Sequence, residues 1–284
     1  YFWHFAAGQR FNLGPAYLGA RADYLTRNDR AFFGLGPYAG TTETHFRQTR
    51  YEADAFAGVG QTNHFTGEVA GGFRGERSGV GDEPSIETHF PVAAIPGFGQ
   101  AVDLALATAH VTLDTRASRH VGGGARFEGT ATYARDVERS SRSFFRAEAD
   151  ARVAFEVSRP DRVLALRGYF VETAPLGSDP VPFTDQAMLG YDNHLGFTWG
   201  RFRGESAVLA EIQYRYPVAY YVDALWTAST GNVFRRDFSD FDVRAFTTSL
   251  AFGFRTRRWG NSPFEVALAV GTTRFDEAVA IDSV

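Results

Sequence analysis

Apolar and polar residues alternate along most of this chain. Between Ser143 and Arg159, Ala147, Ala149, Ala151, Val153, Phe155 and Val157 fall on one face, and Arg146, Glu148, Asp150, Arg152 and Glu156 on the other. A period of two is that of a β-strand whose faces meet different surroundings. Ser206 to Tyr216 repeats it, with Val208, Ala210, Ile212, Tyr214 and Tyr216 opposed to Leu209, Glu211, Gln213 and Arg215. Pro217 is expected to end that strand, because proline has no N–H for a sheet ladder. Similar segments run over 1–11, 15–27, 45–58, 62–78, 100–115, 124–137, 162–173, 218–230, 242–257 and 263–274. That makes about twelve strands, many longer than the ~5–6 residues usual in globular sheets.

The connections differ in length. Arg159-Pro160-Asp161-Arg162 reads as a tight reversal, whereas 78–100 and 173–205 are long. Long strands, short turns at one end and long loops at the other are the pattern of an antiparallel transmembrane β-barrel. Aromatic residues near strand ends (Tyr1, Phe2, Trp3, Tyr216, Tyr220, Tyr221, Phe252, Phe254) suit interfacial girdles. A soluble β-sandwich also alternates, but it accounts for neither the strand length nor the girdles. Mean hydropathy is -0.24, and no apolar run reaches the ~18 residues of a membrane helix. Neither fact opposes a barrel, in which only every second residue meets lipid.

One stretch organises the rest: Met188 to Val218, in which a Gly- and aromatic-rich loop runs into the strand beginning at Ser206. Gly196-Phe197, then Gly200-Arg201-Phe202-Arg203, then Tyr214-Arg215-Tyr216-Pro217 occur in order. Tyr221-Val222-Asp223-Ala224-Leu225 follows. This run resembles the sixth extracellular loop and following strands of the BamA/TamA-like outer-membrane assembly barrels, the bacterial surface antigen superfamily. Phe32-Phe33-Gly34-Leu35-Gly36, the strand Arg162 to Arg167, and Ser262-Pro263-Phe264 resemble other family segments in the same order. The resemblance implies an all-β barrel with a long loop folded into its lumen. Gly196, Phe197, Gly200, Arg201, Phe202 and Arg203 would form the loop motif. Three positions depart from the family: Leu195 stands for the loop arginine, Gln213 for the strand glutamate that faces it, and Leu225 for a glycine. Losing one charge of a buried pair strands the other, so the first two changes read as one coordinated change.

The polar faces, Arg146, Glu148, Asp150, Arg152, Glu156, Glu211 and Asp223, are expected to line the lumen. Arg201 or Arg203 is expected to reach Glu211 or Asp223 and so take over part of the anchoring role vacant at Leu195. The chain reads as a single barrel domain over 1–284, without periplasmic POTRA-type domains. On the family alignment about three strands would precede Tyr1 and one would follow Val284; a closed barrel of about twelve strands is the alternative.

Charge and composition exclude more than they assign. All 29 basic residues are arginine and the net charge is -4, with no basic stripe of the kind a nucleic-acid binder presents. Cysteine is absent, which removes disulfides and thiolate sites. None of the seven histidines pairs with another at metal-ligand spacing, and they read as solvated or lumen-lining; no metal or cofactor is expected. No Gly-x-Ser-x-Gly elbow occurs. Val121-Gly122-Gly123-Gly124 precedes a strand pattern rather than a helix, so it is not a phosphate loop.

The resemblance implies a non-enzymatic outer-membrane barrel that helps insert or pass other polypeptides. Its partners would be outer-membrane lipid and unfolded outer-membrane protein clients, or subunits of an envelope complex. A structural or partner-binding barrel is the second reading, favoured by Leu195 and Gln213. An anchor for an enzyme domain and a passive pore are the remaining ones.

Overall fold

The computed structural model describes residues 2–62, 64–116, 123–159, 161–191, 193–256, 264–272 and 282–283. Its strands are β1 (Phe2–Leu13), β2 (Ala16–Phe32), β3 (Thr44–Thr62), β4 (Phe65–Val80), β5 (Ala101–Asp114), β6 (Gly124–Asp136), β7 (Phe144–Glu156), β8 (Val163–Pro175), β9 (Ala187–Leu189), β10 (Phe202–Gly204), β11 (Ser206–Ala219), β12 (Val222–Phe234), β13 (Thr247–Thr256), β14 (Glu265–Gly271) and β15 (Asp282–Ser283). Thirteen of them form one sheet, in the order β1 to β8 and then β11 to β15, antiparallel throughout. Among the described residues there is no second stacked sheet. Strands β9 and β10 pair, among the described residues, with each other alone.

Each of the twelve segments read from the alternating pattern contains a strand of this sheet. The differences lie at their ends. Strand β11 continues past Pro217 to Ala219, with a register shift between the two. The bulge sits where a residue without an N–H is tolerated, so Pro217 marks the irregularity rather than the end. Strand β12 begins at Val222 rather than 218, because Tyr220 and Tyr221 make the turn. Strand β13 begins at Thr247, because Val243–Ala245 is a 3-10 turn whose first N–H groups are capped by Asp242. Pro160 of the tight reversal, Val121 and Gly122 of the glycine run, and Ser262 and Pro263 lie outside the described residues.

The two ends of the sheet are built differently. Two-residue connections, 14–15 and 220–221, join strands at one end. The connections 33–43, 81–100, 176–205 and 235–246 are all at the other.

The two faces also differ. On β7, Phe144, Arg146, Glu148, Asp150 and Arg152 face inward, while Phe145, Val153 and Phe155 stand exposed on the other side. The outward apolar face continues through Val69, Ile212, Trp226, Leu250 and Leu268, each at least 45% exposed. A continuous apolar face of this kind marks a surface made for a membrane or a partner rather than for water.

The sheet is strongly curved, and distances show it. Strands β2 and β14 are ten positions apart in the strand order. At about 4.8 Å per position they would lie about 48 Å apart in a flat sheet. Yet a Cβ built on Gly196 would come within 2.8 Å of Val270 in β14, and one on Gly200 within 2.9 Å of Ala31 in β2. Five residues span at most about 18 Å. The sheet must therefore roll around the segment 187–204. Among the described residues β1 pairs with β2 alone.

Candidate functional site

The segment between β8 and β11 is the candidate site, and its core is apolar. Ala187, Leu189, Phe197 and Phe202 pack against Tyr169 and Val171 of β8, Ala207 and Leu209 of β11 and Val233 of β12. Phe197 and Phe202 meet edge-on at 5.0 Å. The β9–β10 hairpin places Met188 opposite Arg203.

Both motif glycines have a physical reason. Gly196 and Gly200 have φ of +85° and +77°, a region that side chains disfavour. Both also touch backbone, Gly196 at Val270 and Gly200 at Ala31. The motif turns sharply at two points, and each turn seats it against a different part of the sheet.

The two arginines of the motif are buried and point away from the expected carboxylates. Arg203 donates to the Phe183 carbonyl at 2.7 Å and lies against the Phe183 ring and the Met188 sulfur; burial lowers its pKa to about 10. Arg201 donates to the Gly40 carbonyl at 2.9 Å and stacks over Phe33 and Phe202. The expectation that either would reach Glu211 or Asp223 is not met. Glu211 faces Arg152 and Arg167 at 3.8 and 3.9 Å, and Asp223 faces Arg215 at 3.8 Å. Strand arginines supply the counter-charge, and Asp223 sits beside the 220–221 turn, at the far end of β12 from Gly40.

The remaining polar positions form a wall of short-range pairs. Asp150 binds Arg167 at 2.6 Å. Glu148 takes Arg146 and the Tyr169 hydroxyl. Glu156, the last residue of β7, is exposed. Gln213 donates to Thr227 at 3.3 Å, Leu225 is buried, and Leu195 is half-buried.

Sequence reasoning missed four groups that fasten this segment. His194 is fully buried, with Nδ1 2.9 Å from the Ser229 hydroxyl of β12 and Nε2 3.1 Å from the Thr247 hydroxyl of β13. It also packs on Phe197 at 4.5 Å. Burial holds the imidazole neutral, lowering its pKa to about 4. Asp185 pairs with Arg74 of β4, and its carbonyl accepts from Arg146 of β7. Trp199 stacks on Arg30 of β2 at 4.2 Å. Phe183 joins Phe32, Phe46, Ile86, Ile95 and Phe98 in a core beneath the 81–100 loop. Only His194 carried a usable signal, its place beside Leu195. The others depend on partners on distant strands, which sequence spacing does not reveal.

Comparison with known proteins bears on this geometry. No family model and no curated protein sequence matches the chain. Among solved structures, BamA from Haemophilus ducreyi lacking POTRA domains 1–3 superimposes over 99% of this chain and 60% of its own, with TM-score 0.67 and 12% identity. CdiB from Acinetobacter baumannii covers 98% and 48%, with TM-score 0.61 and 14% identity. CdiB from Escherichia coli covers 99% and 51%, with TM-score 0.59 and 13% identity. The fold is that of the BamA and CdiB barrels. The chain spans about half to three-fifths of the length of these proteins.

Within this BamA-like fold, the loop contact lies one residue from Leu195. The hydroxyls of Ser229 and Thr247 receive His194, the residue next to Leu195. The contact is neutral, where the sequence resemblance implied a charged one. Its desolvation cost is lower, since no buried charge needs a partner.

Proposed function

We propose that this chain is the membrane-spanning part of an outer-membrane barrel of the polypeptide assembly and translocation class, acting without enzymatic chemistry. The segment 187–204 is folded into its lumen. The outward apolar face meets lipid, and the clients are unfolded outer-membrane proteins or other secreted chains. The observation that carries this reading is the double seating of one short segment, Gly196 on β14 and Gly200 on β2. A segment that touches both flanks of a rolled sheet blocks its interior and has to move for anything large to pass. The likeness to BamA and CdiB supports the class.

A second reading is a structural or partner-binding barrel that has lost insertase activity. Leu195, Gln213 and the internal pairing of Glu211 and Asp223 with strand arginines favour it. Depleting the protein and blotting for other outer-membrane barrels separates the two. A fall in those barrels supports the assembly reading; unchanged levels, with the protein still in the outer-membrane fraction, support the structural one. Recovery in the soluble fraction overturns both.

A further inference from the structure

A basic rim lies on the outward face of the sheet at its loop end. Arg47 of β3 sits between Phe46 and Gln48, and Arg135 of β6 between Ala134 and Asp136, all four buried. Arg77 of β4 follows Glu76, which is buried against Gln48. Alternation therefore turns the three arginines outward. Each lies within three residues of the loop end of its strand. Arg77 is clamped by Asp103 in two hydrogen bonds, 3.0 and 2.8 Å, and the Tyr51 hydroxyl joins the same carboxylate at 3.1 Å. Arg47 and Arg135 are exposed and have no hydrogen bond or ion pair among the described residues. Glu138, in the loop after β6, is the other carboxylate near Arg77. On the same face, four residues along from Arg47 and Arg77 and two from Arg135, Tyr51, Phe73 and Tyr133 stand outward with Phe145 opposite Tyr133, about two-fifths exposed, and Tyr51 and Phe73 lie 6.5 Å apart.

Resting on the membrane reading above, we propose that Arg47, Arg77 and Arg135 bind phosphates of anionic lipid headgroups in the leaflet on the loop side, Arg47 and Arg77 on neighbouring strands forming one site and Arg135 a second. The aromatic belt fixes the depth, because amphipathic rings settle at the headgroup level. Guanidinium groups at that depth face phosphate oxygens, which they take two at a time. Asp103 holds Arg77 in place without cancelling the rim, since Arg47 and Arg135 flank it uncompensated. A membrane-facing arginine at the headgroup level is stabilised by such an anion, whereas one facing acyl chains is costly.

The test uses the full chain reconstituted in phosphatidylcholine bilayers carrying a minority of phosphatidic acid, with bound lipid counted by native mass spectrometry. Phosphatidic acid should be retained in preference to phosphatidylcholine. The double variant Arg47→Gln/Arg135→Gln should lose about tenfold of that preference. Inward-facing Arg126→Gln/Arg152→Gln, equal in net charge, should keep it. No preference in the wild type, or an undiminished preference in the rim variant, overturns the proposal while leaving the membrane reading standing. Failure to insert into pure phosphatidylcholine overturns both.

Discussion

His194 Nδ1 lies 2.9 Å from the Ser229 hydroxyl, in a site where the imidazole is fully buried and Ser229 and Thr247 are buried beside it. This neutral contact ties the segment 187–204 to β12 and β13. Replacing His194 by Ala leaves the Ser229 and Thr247 hydroxyls short of a partner and opens space beside Phe197. We expect a loss of about 1–3 kcal/mol, read as a lower unfolding temperature in heat-modifiability gels. Cleavage within 187–204 by added protease should rise in parallel. An unchanged melting point and cleavage rate would remove His194 as an anchor.

The same residue makes the seating pH-dependent. Its pKa is lowered to about 4 by burial, while an unfolded histidine titrates near 6.5. Between those values the undocked form binds more protons, so stability rises with pH there. Docking is at full strength above about pH 6.5 and weakens as pH falls toward 4. Protease accessibility of the segment should rise over that window in the wild type and stay flat in His194→Gln.

Gly200→Val should unseat the segment on its other side. The residue must hold a positive φ, and its Cβ would come within 2.9 Å of the Ala31 carbonyl. Left-handed backbone alone costs about 1–3 kcal/mol for a branched side chain. Greater exposure of Trp199, seen as a red-shifted fluorescence emission, is the expected signal. An unaltered spectrum would show that Ala31 is not a seat.

A pair of neighbours on β11 tests the assignment of faces. Ile212 points outward and is 45% exposed, whereas Glu211 faces Arg152 and Arg167. Ile212→Arg should cost about 2–4 kcal/mol in bilayers, the range found for arginine at mid-membrane on barrel walls. Glu211→Gln should leave insertion intact. Equal tolerance of the two would argue that the outward face does not meet acyl chains.

The wall of the barrel was legible because its physics is local. An apolar face on one side and a charged one on the other impose a period of two, and every segment carrying that period contains a strand. The strand ends were less legible. A bulge absorbed Pro217, and the tyrosine pair at 220–221 formed a turn although its composition suits a strand. The site was legible in part. Its glycines and aromatic residues could be named, because tight turns and buried rings demand those residue types. Its fastenings could not: Arg203 goes to a backbone carbonyl, and Asp185 meets an arginine on β4. Neither partner can be inferred from spacing along the chain.

Strand β8 bonds directly to β11, so everything between them is an excursion that the ladder does not need. Wall and stopper are thus mechanically separable. Withdrawing the stopper breaks side-chain seats and a few loop contacts but none of the hydrogen bonds that keep neighbouring staves together. On the function proposed above, a passage would therefore clear and refill while the cask around it stays intact.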